Sequence, residues 1–263
     1  MVELPTQKRP ASEKGPHMML VYSAPKAGKT TIVSLLENSL LIECEPHGAD
    51  YVDAVVIEAS KPKEFNEIID ALVEQGKPYK YVIVDTVTKL DEWSEIVGTY
   101  GYMNKPQGKK FNLKDERRPD GGKFTHTDKE FQTVHELGQG YGYRYSRNVM
   151  IDWYNRLSEV AEHVILLAHI KDKYIESRQG DTVETKDISL TGKVKESFTT
   201  RVDAVAHFYR KGNEGILNFA NEHNQAIGIG GRCKHLTGEI TISEKQEDGT
   251  IKGFWDKIYP ENK

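Results

Sequence analysis

The chain has 263 residues, of which 37% are hydrophobic and 29% are charged. This composition suits one α/β domain, or such a core with a modest appendage, and such a chain can bury a core and need not be disordered. The net charge is −4, so any surface for nucleic acid has to be local, because the average charge would repel phosphate.

The N-terminal segment is polar and carries three prolines, so residues 1–16 are predicted to form a flexible tail ahead of a single domain over 17–263. It contains no apolar signal segment, and no run in the chain approaches the ~18 apolar residues of a membrane span. Cys44 and Cys233 fit a reducing compartment better than a disulfide framework. We therefore expect a cytoplasmic protein with no membrane partner.

Apolar runs and helical patterns alternate along the first two thirds of the chain. Strands are predicted at 18–22, 39–42, 54–57, 81–84 and 164–168, with helices beginning at Thr30 and over 64–74. Strands separated by helices predict a mostly parallel sheet flanked by helices. After Asp203, closely spaced runs at 204–209, 216–220 and 239–242 predict antiparallel C-terminal strands, with a turn at Asp248-Gly249.

One segment, residues 98–148, does not follow this alternation of strands and helices. It has weak periodicity and is too long for an ordinary connection in a compact domain, which predicts a functional or mobile insertion.

The first predicted strand leads into Ser-Ala-Pro-Lys-Ala-Gly-Lys-Thr over residues 23–30, and a helix follows. Strand, turn and helix are the context of a Walker A loop, which binds ATP and Mg²⁺ through loop amides, a lysine on the phosphates and a hydroxyl on the metal. The predicted nucleotide-binding residues are Ser23, Ala24, Pro25, Lys26, Ala27, Gly28, Lys29, Thr30 and Thr31. Ser23 stands where the motif usually has glycine, and a chance Gly/Lys turn is the alternative.

Carboxylates follow two of the predicted strands. Four apolar residues precede Asp85, the Walker B pattern of a Mg²⁺ site, although Asp85 also suits the N-cap of the next helix. Glu43 and Glu45 follow the second strand, where alternation would send both to one side. One of them would polarise the attacking water, and a solvated acidic strand end is the alternative for each.

In this order, the pieces resemble the RecA/RadA recombinase core, and more closely the small phage ATPases of the RecA-like single-strand-annealing group. The resemblance rests on the loop at 23–30, the Glu-Cys-Glu at 43–45, the Asp-Thr-Val at 85–87 and the strand ending at His169. It covers about residues 17–210 and implies a RecA-like P-loop NTPase, phage-encoded and acting in a host cytoplasm.

The same resemblance implies roles for individual residues. Lys29 and Thr30 bind triphosphate and metal, Asp85 holds the metal through water, and Glu45 activates water. His169 occupies a position where the family often has Gln, and it couples the γ-phosphate to a DNA-facing loop. For His169, a hydrogen-bonded surface histidine is the alternative.

Single-stranded DNA is the predicted partner. The 98–148 segment carries ten Lys or Arg against six Asp or Glu, interleaved with eight Tyr or Phe residues, and cations with stacking rings are typical of unspecific single-strand binding. A second basic stretch follows the His169 strand. The candidate DNA contacts are Lys109, Lys110, Arg117, Arg118, Tyr141, Tyr143, Arg144, Lys171 and Lys173. Solvated charged loops are the alternative.

RecA-like ATPases usually complete the site with a neighbour's cation, so a homo-oligomer, as ring or filament, is expected. Candidates for this trans-acting cation are Lys193, Lys195, Arg201 and Arg210. A single-strand-binding protein is a further possible partner.

Two other functions share the Walker A loop. A nucleotide or small-molecule kinase would need a lid, which Arg117 and Arg118 can imitate, whereas a nucleotide-dependent scaffold with little turnover would suit the Ser23 substitution. Detection of a phosphorylated product would favour the kinase, and tight nucleotide binding with negligible hydrolysis would favour the scaffold.

Overall fold

A computed structural model describes residues 4, 6–109, 133–176, 182–220 and 229–262, and for 172–176 and 182–186 it describes the backbone alone. The strands in this part of the chain are β1 (Met18–Ser23), β2 (Ser39–Glu43), β3 (Val56–Glu58), β4 (Tyr81–Asp85), β5 (His163–Glu176), β6 (Thr182–Ile188), β7 (Ala204–Lys211), β8 (Glu214–Asn218), β9 (Gly230–Gly231), β10 (Glu239–Lys245) and β11 (Ile251–Gly253). The α-helices are α1 (Lys29–Val33), α2 (Pro62–Glu74), α3 (Val87–Met103), α4 (Tyr143–Leu157) and α5 (Gly192–Arg201).

One sheet runs through the molecule in the order β11-β10-β8-β7-β1-β5-β4-β2-β3. From β7 to β3 every neighbouring pair is parallel, and from β7 to β11 every pair is antiparallel. The predicted α/β class, a mostly parallel sheet flanked by helices with antiparallel C-terminal strands, is therefore confirmed.

The two faces of the sheet bury different partners. Along β1 and β5 alternate residues point to opposite faces, so Leu20 and Leu166 enter one core while Val21 and Leu167 enter the other. The first core is closed by α2, α3, α4 and α5. The second is closed by α1 and by the C-terminal segment around Trp255 and Tyr259. Continuous apolar runs such as 18–22 are expected of strands covered on both faces.

Two predicted strand boundaries were wrong. The strand predicted at 54–57 is formed by Val56–Glu58 at the sheet edge. The strand predicted to end at His169 continues to Glu176, because it pairs with β6 in an antiparallel hairpin, with Ile170 opposite Ile188. Residues 171–173 are therefore part of a strand, whereas a loop was expected there.

The ends of the predicted tail, residues 1–16, and of the predicted insertion, residues 98–148, are part of the ordered structure. The amide of Gly15 donates to the carboxylate of Glu261, and Pro16 is buried, so a flexible tail would have to end before Gly15. Helix α3 runs through Met103 and α4 begins at Tyr143, so both ends of the 98–148 segment are helical. Among the described helices none is long and apolar enough to cross a membrane.

Candidate nucleotide site and basic cleft

The predicted nucleotide-binding residues gather at the carboxyl ends of the parallel strands. β5 lies between β1 and β4, and its His169 is in register with Ser23, at the start of the Walker A loop. Asp85 ends β4 and is in register with Glu43 of β2. Because parallel strands present their ends at one edge, residues from four segments of the sequence meet there.

Lys29 is buried, with 6% of its surface exposed, and its ammonium is surrounded by acceptors. Its Nζ lies 3.2 Å from Ser23 Oγ, 3.4 Å from the Ser23 and Ala24 carbonyl oxygens, and 3.5 Å from His169 Nδ1. Burial lowers the pKa of Lys29, and the negative charges of Asp85 and Glu45 act in the opposite direction. Ser23, in place of the usual glycine, therefore contributes a hydroxyl that holds this lysine in the loop.

Thr30 and Asp85 form the pair expected to bind Mg²⁺. The Thr30 hydroxyl donates to Asp85 Oδ2 at 2.7 Å. Burial raises the pKa of Asp85, opposed by this hydrogen bond and by Lys29. A hydroxyl and a carboxylate are oxygen donors that suit Mg²⁺, and once bound the ion would offset negative charge on phosphate oxygens. The alternative role of Asp85 as an N-cap is wrong, because Thr86 caps α3 by accepting from the Lys89 amide.

Glu45 lies across the site from Lys29. Its two carboxylate oxygens are 3.1 and 3.2 Å from His169 Nε2, and Oε1 also accepts from the Thr86 hydroxyl at 2.7 Å. The contact with His169 lowers the pKa of Glu45 to about 2, with Thr86 and Lys29 adding to the effect against partial burial. Glu45 is therefore ionised throughout the neutral range.

His169 joins Lys29 and Glu45 into one chain of contacts. A lysine ammonium can only donate, so His169 Nδ1 accepts from it and the ring proton sits on Nε2, where it points at Glu45. The His169 side chain is 26% exposed, so the alternative of a hydrogen-bonded surface histidine also fits these contacts, and the coupling role of His169 stays a prediction.

Glu43 and Glu45 have separate surroundings, although a shared side was expected. The carboxylate of Glu43 is buried and accepts from the Ala49 amide at 2.7 Å, which closes the turn after β2. Glu43 therefore has a structural contact, and Glu45 faces the nucleotide loop.

A second site is a cleft of about 640 Å³ between the start of α4 and the start of α5. We call it the basic cleft, and it is lined by Gln139, Gly140, Tyr141, Tyr143, Arg144, Arg147, Thr191, Gly192, Lys193 and Val194. Three of these residues are cations, and Tyr141 and Tyr143 are 49% and 44% exposed. Arg147 was missed by the sequence analysis, although it lies three residues from Arg144 and so on the same face of a helix.

Of the other candidate DNA contacts, the two whose side chains the structure describes, Lys109 and Lys171, do not line this cleft. Lys171 donates to the Leu190 carbonyl at 3.0 Å, and Lys109 lies beyond the end of α3. Lys110, Arg117 and Arg118 lie outside the described residues, as does the side chain of Lys173.

The candidate trans-acting cations have partners or positions within their own chain. Lys195 forms an ion pair with the buried Asp187 at 2.8 Å. The guanidinium of Arg201 lies over the ring of Tyr154, 5.9 Å from its centroid. Lys193 lines the basic cleft, and Arg210 lies against Gly28.

No curated protein matches the chain. Among solved structures it is similar to one described as the RadB recombinase, with 12% sequence identity, 92% of each chain covered and a TM-score of 0.41. The model of the AAA domain family matches residues 16–228. This range spans most of the chain and includes the Walker A loop, Asp85, His169 and the basic cleft, and we conclude that the chain belongs to the AAA domain family.

Proposed function

We propose that the protein hydrolyses ATP at the loop formed by residues 23–31, with Mg²⁺ held at Thr30 and Asp85. The observation that carries this proposal is the chain of contacts from Lys29 through His169 to Glu45. It places a cation for the phosphates and an ionised carboxylate on either side of one imidazole.

In the proposed reaction, Glu45 accepts a proton from the attacking water. The water oxygen bonds to the γ-phosphorus, and the bond from that phosphorus to the bridging oxygen breaks, leaving its electron pair on ADP. Lys29 offsets the charge on the phosphate oxygens. Because His169 contacts both Lys29 and Glu45, a movement of Lys29 on nucleotide binding would also move the position of Glu45 through His169.

We further propose that hydrolysis serves an action on single-stranded DNA, as in recombination or strand annealing, and that the strand occupies the basic cleft. Support comes from the convergence of Tyr141, Tyr143 and Arg144 with Arg147 and Lys193. Exposed rings stack on bases without sequence preference, and the cations match the phosphates. Assembly into a homo-oligomer, the phage origin and a single-strand-binding partner belong to the same proposal.

The two sites are connected through α3. At its start the hydroxyl of Thr88 accepts from the His169 amide at 3.0 Å. One turn further along, Asp91 Oδ2 accepts from the amide and hydroxyl of Thr191 at 2.6 and 2.7 Å. Thr191 precedes α5 and lines the cleft. Single-stranded DNA bound in the basic cleft can therefore change the geometry of the nucleotide site through this short path of contacting residues.

The test is ATP turnover with and without single-stranded DNA, in wild-type protein and in Lys29→Ala. We expect DNA to stimulate turnover and Lys29→Ala to abolish it. Lys63→Ala, which removes an exposed lysine on α2, is the matched control and should behave as wild type.

Each contrary result has a distinct meaning. Turnover that DNA does not change would remove the DNA part of the proposal and leave an ATPase. Tight nucleotide binding without turnover would favour the scaffold, and transfer of phosphate to a nucleoside would favour the kinase.

A further inference from the structure

Arg210 lies close to the Walker A loop of its own chain. β7 runs parallel to β1, with His207 in register with Tyr22, and it continues to Lys211 whereas β1 ends at Ser23. The last residues of β7 therefore run beside the loop that follows β1. From the sequence, Arg210 is one of the candidates for a cation donated to a neighbouring subunit.

The guanidinium of Arg210 packs directly on Gly28. A Cβ built on Gly28 would lie 2.5 Å from Nη2, 3.2 Å from Cζ and 3.3 Å from Nε of Arg210. Gly28 also has φ of 102°, which disfavours other residues there. Glycine at this position therefore admits the guanidinium to the surface of the loop.

No carboxylate of the described residues forms an ion pair with this guanidinium. Arg210 shares a small recess with Thr31, Lys245 and Glu214. The Glu214 carboxylate accepts from the Thr241 hydroxyl at 3.4 Å. Two cations and one carboxylate leave the recess with a net positive charge next to the predicted nucleotide-binding residues.

The side of the loop on which Arg210 lies indicates which phosphates it would meet. His169 and Asp85 lie on β5 and β4, on one side of β1, and Arg210 lies on β7, on the other side. The water-activating group belongs near the γ-phosphate, so the opposite side of the loop belongs to the phosphates that ATP and ADP share.

We propose that Arg210 binds the α- and β-phosphates of the nucleotide in its own subunit. This assignment rests on the proposed nucleotide function of the loop. It gives the site a second cation beside Lys29, present without assembly of an oligomer. Any trans-acting residue is then to be sought elsewhere.

The test is titration calorimetry of ATP and of ADP with wild-type protein, Arg210→Ala, Arg210→Lys and Lys211→Ala. Because Arg210→Ala removes a charged hydrogen-bonding partner, the affinity for ATP and the affinity for ADP are each expected to fall by about 10- to 100-fold. Arg210→Lys should recover part of the affinity. Lys211→Ala, the neighbouring exposed cation on the strand, should bind both nucleotides as wild type does, and the thermal unfolding midpoint without nucleotide should be the same in all four proteins.

A mixing experiment separates action within a subunit from action between subunits. Lys29→Ala and Arg210→Ala proteins are combined in equal amounts and ATP turnover is measured. If Arg210 acts within its subunit, the mixture stays at the level of the separate variants. Recovered turnover would show that one subunit's Arg210 completes another's loop, and would overturn the assignment.

Other results bear on the proposal in separate ways. Wild-type affinity for both nucleotides in Arg210→Ala would overturn the assignment of Arg210 and leave the proposed function standing. Loss of ATP affinity with ADP affinity intact would overturn the assignment of Arg210 to the α- and β-phosphates. Wild-type protein that binds neither nucleotide would overturn the proposed function together with this assignment.

Discussion

The nucleotide loop and the basic cleft differ in how their charged groups are held. Lys29 is buried among four acceptor atoms, and Glu45 is fixed by both His169 and Thr86. In the cleft, Arg144, Arg147 and Lys193 form no ion pair with a carboxylate of the described residues, and two tyrosine rings are exposed. Preorganised groups suit one defined reaction, whereas exposed cations and rings suit a ligand of variable sequence. ATP turnover should therefore fall sharply when a single functional group of the loop is removed. Substitutions in the cleft should lower the affinity for single-stranded DNA in smaller, graded steps.

The largest effect is expected at Glu45. Glu45→Gln keeps the size of the side chain and removes the proton acceptor, so kcat should fall by about 10²- to 10⁴-fold while ATP affinity is retained. Steady-state ATP turnover and equilibrium ATP binding measure the two quantities. Glu43→Gln is the matched control, since its amide oxygen can still accept from Ala49, and it should keep near-wild-type turnover. Equal losses in the two variants would contradict the distinction drawn between these glutamates.

An intermediate effect is expected in the cleft. Tyr141→Ala and Tyr143→Ala should each weaken the binding of single-stranded DNA. Base stacking on a ring contributes roughly 1–3 kcal/mol, or about 5- to 150-fold in affinity. Fluorescence anisotropy of a labelled oligonucleotide measures this loss, and ATP affinity should not change. Arg147→Ala should reduce the dependence of binding on salt. Unchanged DNA affinity in both tyrosine variants would show that the strand binds elsewhere.

A smaller effect is expected for the link between the sites. Thr191→Val removes one of the two hydrogen bonds to Asp91, a net contribution of about 1 kcal/mol, so DNA stimulation of turnover should fall by about 5-fold. Turnover without DNA should be unaffected. Thr200→Val removes an exposed hydroxyl on α5, the helix that follows Thr191, and serves as the control. Stimulation of wild-type size in Thr191→Val would exclude this path.

The smallest effect concerns pH. Glu45 must be ionised to accept a proton, so kcat/KM falls as the pH drops through the pKa of Glu45. With His169 present that pKa is about 2, and Glu45 contributes no acid limb above about pH 4. In His169→Ala the main cause of the lowering is removed, so the pKa rises toward its ordinary 4.5 and the acid limb moves to higher pH. A pH–rate profile from pH 4 to 8 tests this: wild type should show no acid limb from Glu45, and the absence of an acid limb near pH 4.5 in His169→Ala would contradict the coupling.

Much of the candidate nucleotide site could be predicted from the sequence because its parts are local. A strand, a turn and the Gly-Lys-Thr at 28–30 are contiguous, and an apolar run ending in Asp85 is recognisable by itself. The parallel order of the strands then brings these parts to one edge. The cleft was predictable in part, from the mixture of tyrosines and cations near residue 143, but Lys193 was assigned a different role because sequence distance conceals its position beside Tyr143 and Arg144.

The sequence by itself determined the fold class and the phosphate loop, since periodicity and a contiguous motif express local preferences of the backbone. The tertiary structure alone decided which of Glu43 and Glu45 faces Lys29, how far the His169 strand continues, and that Arg210 lies on Gly28 of its own chain. Each of these depends on the register between strands that are distant in sequence, and register is set by the packing of both faces of the sheet.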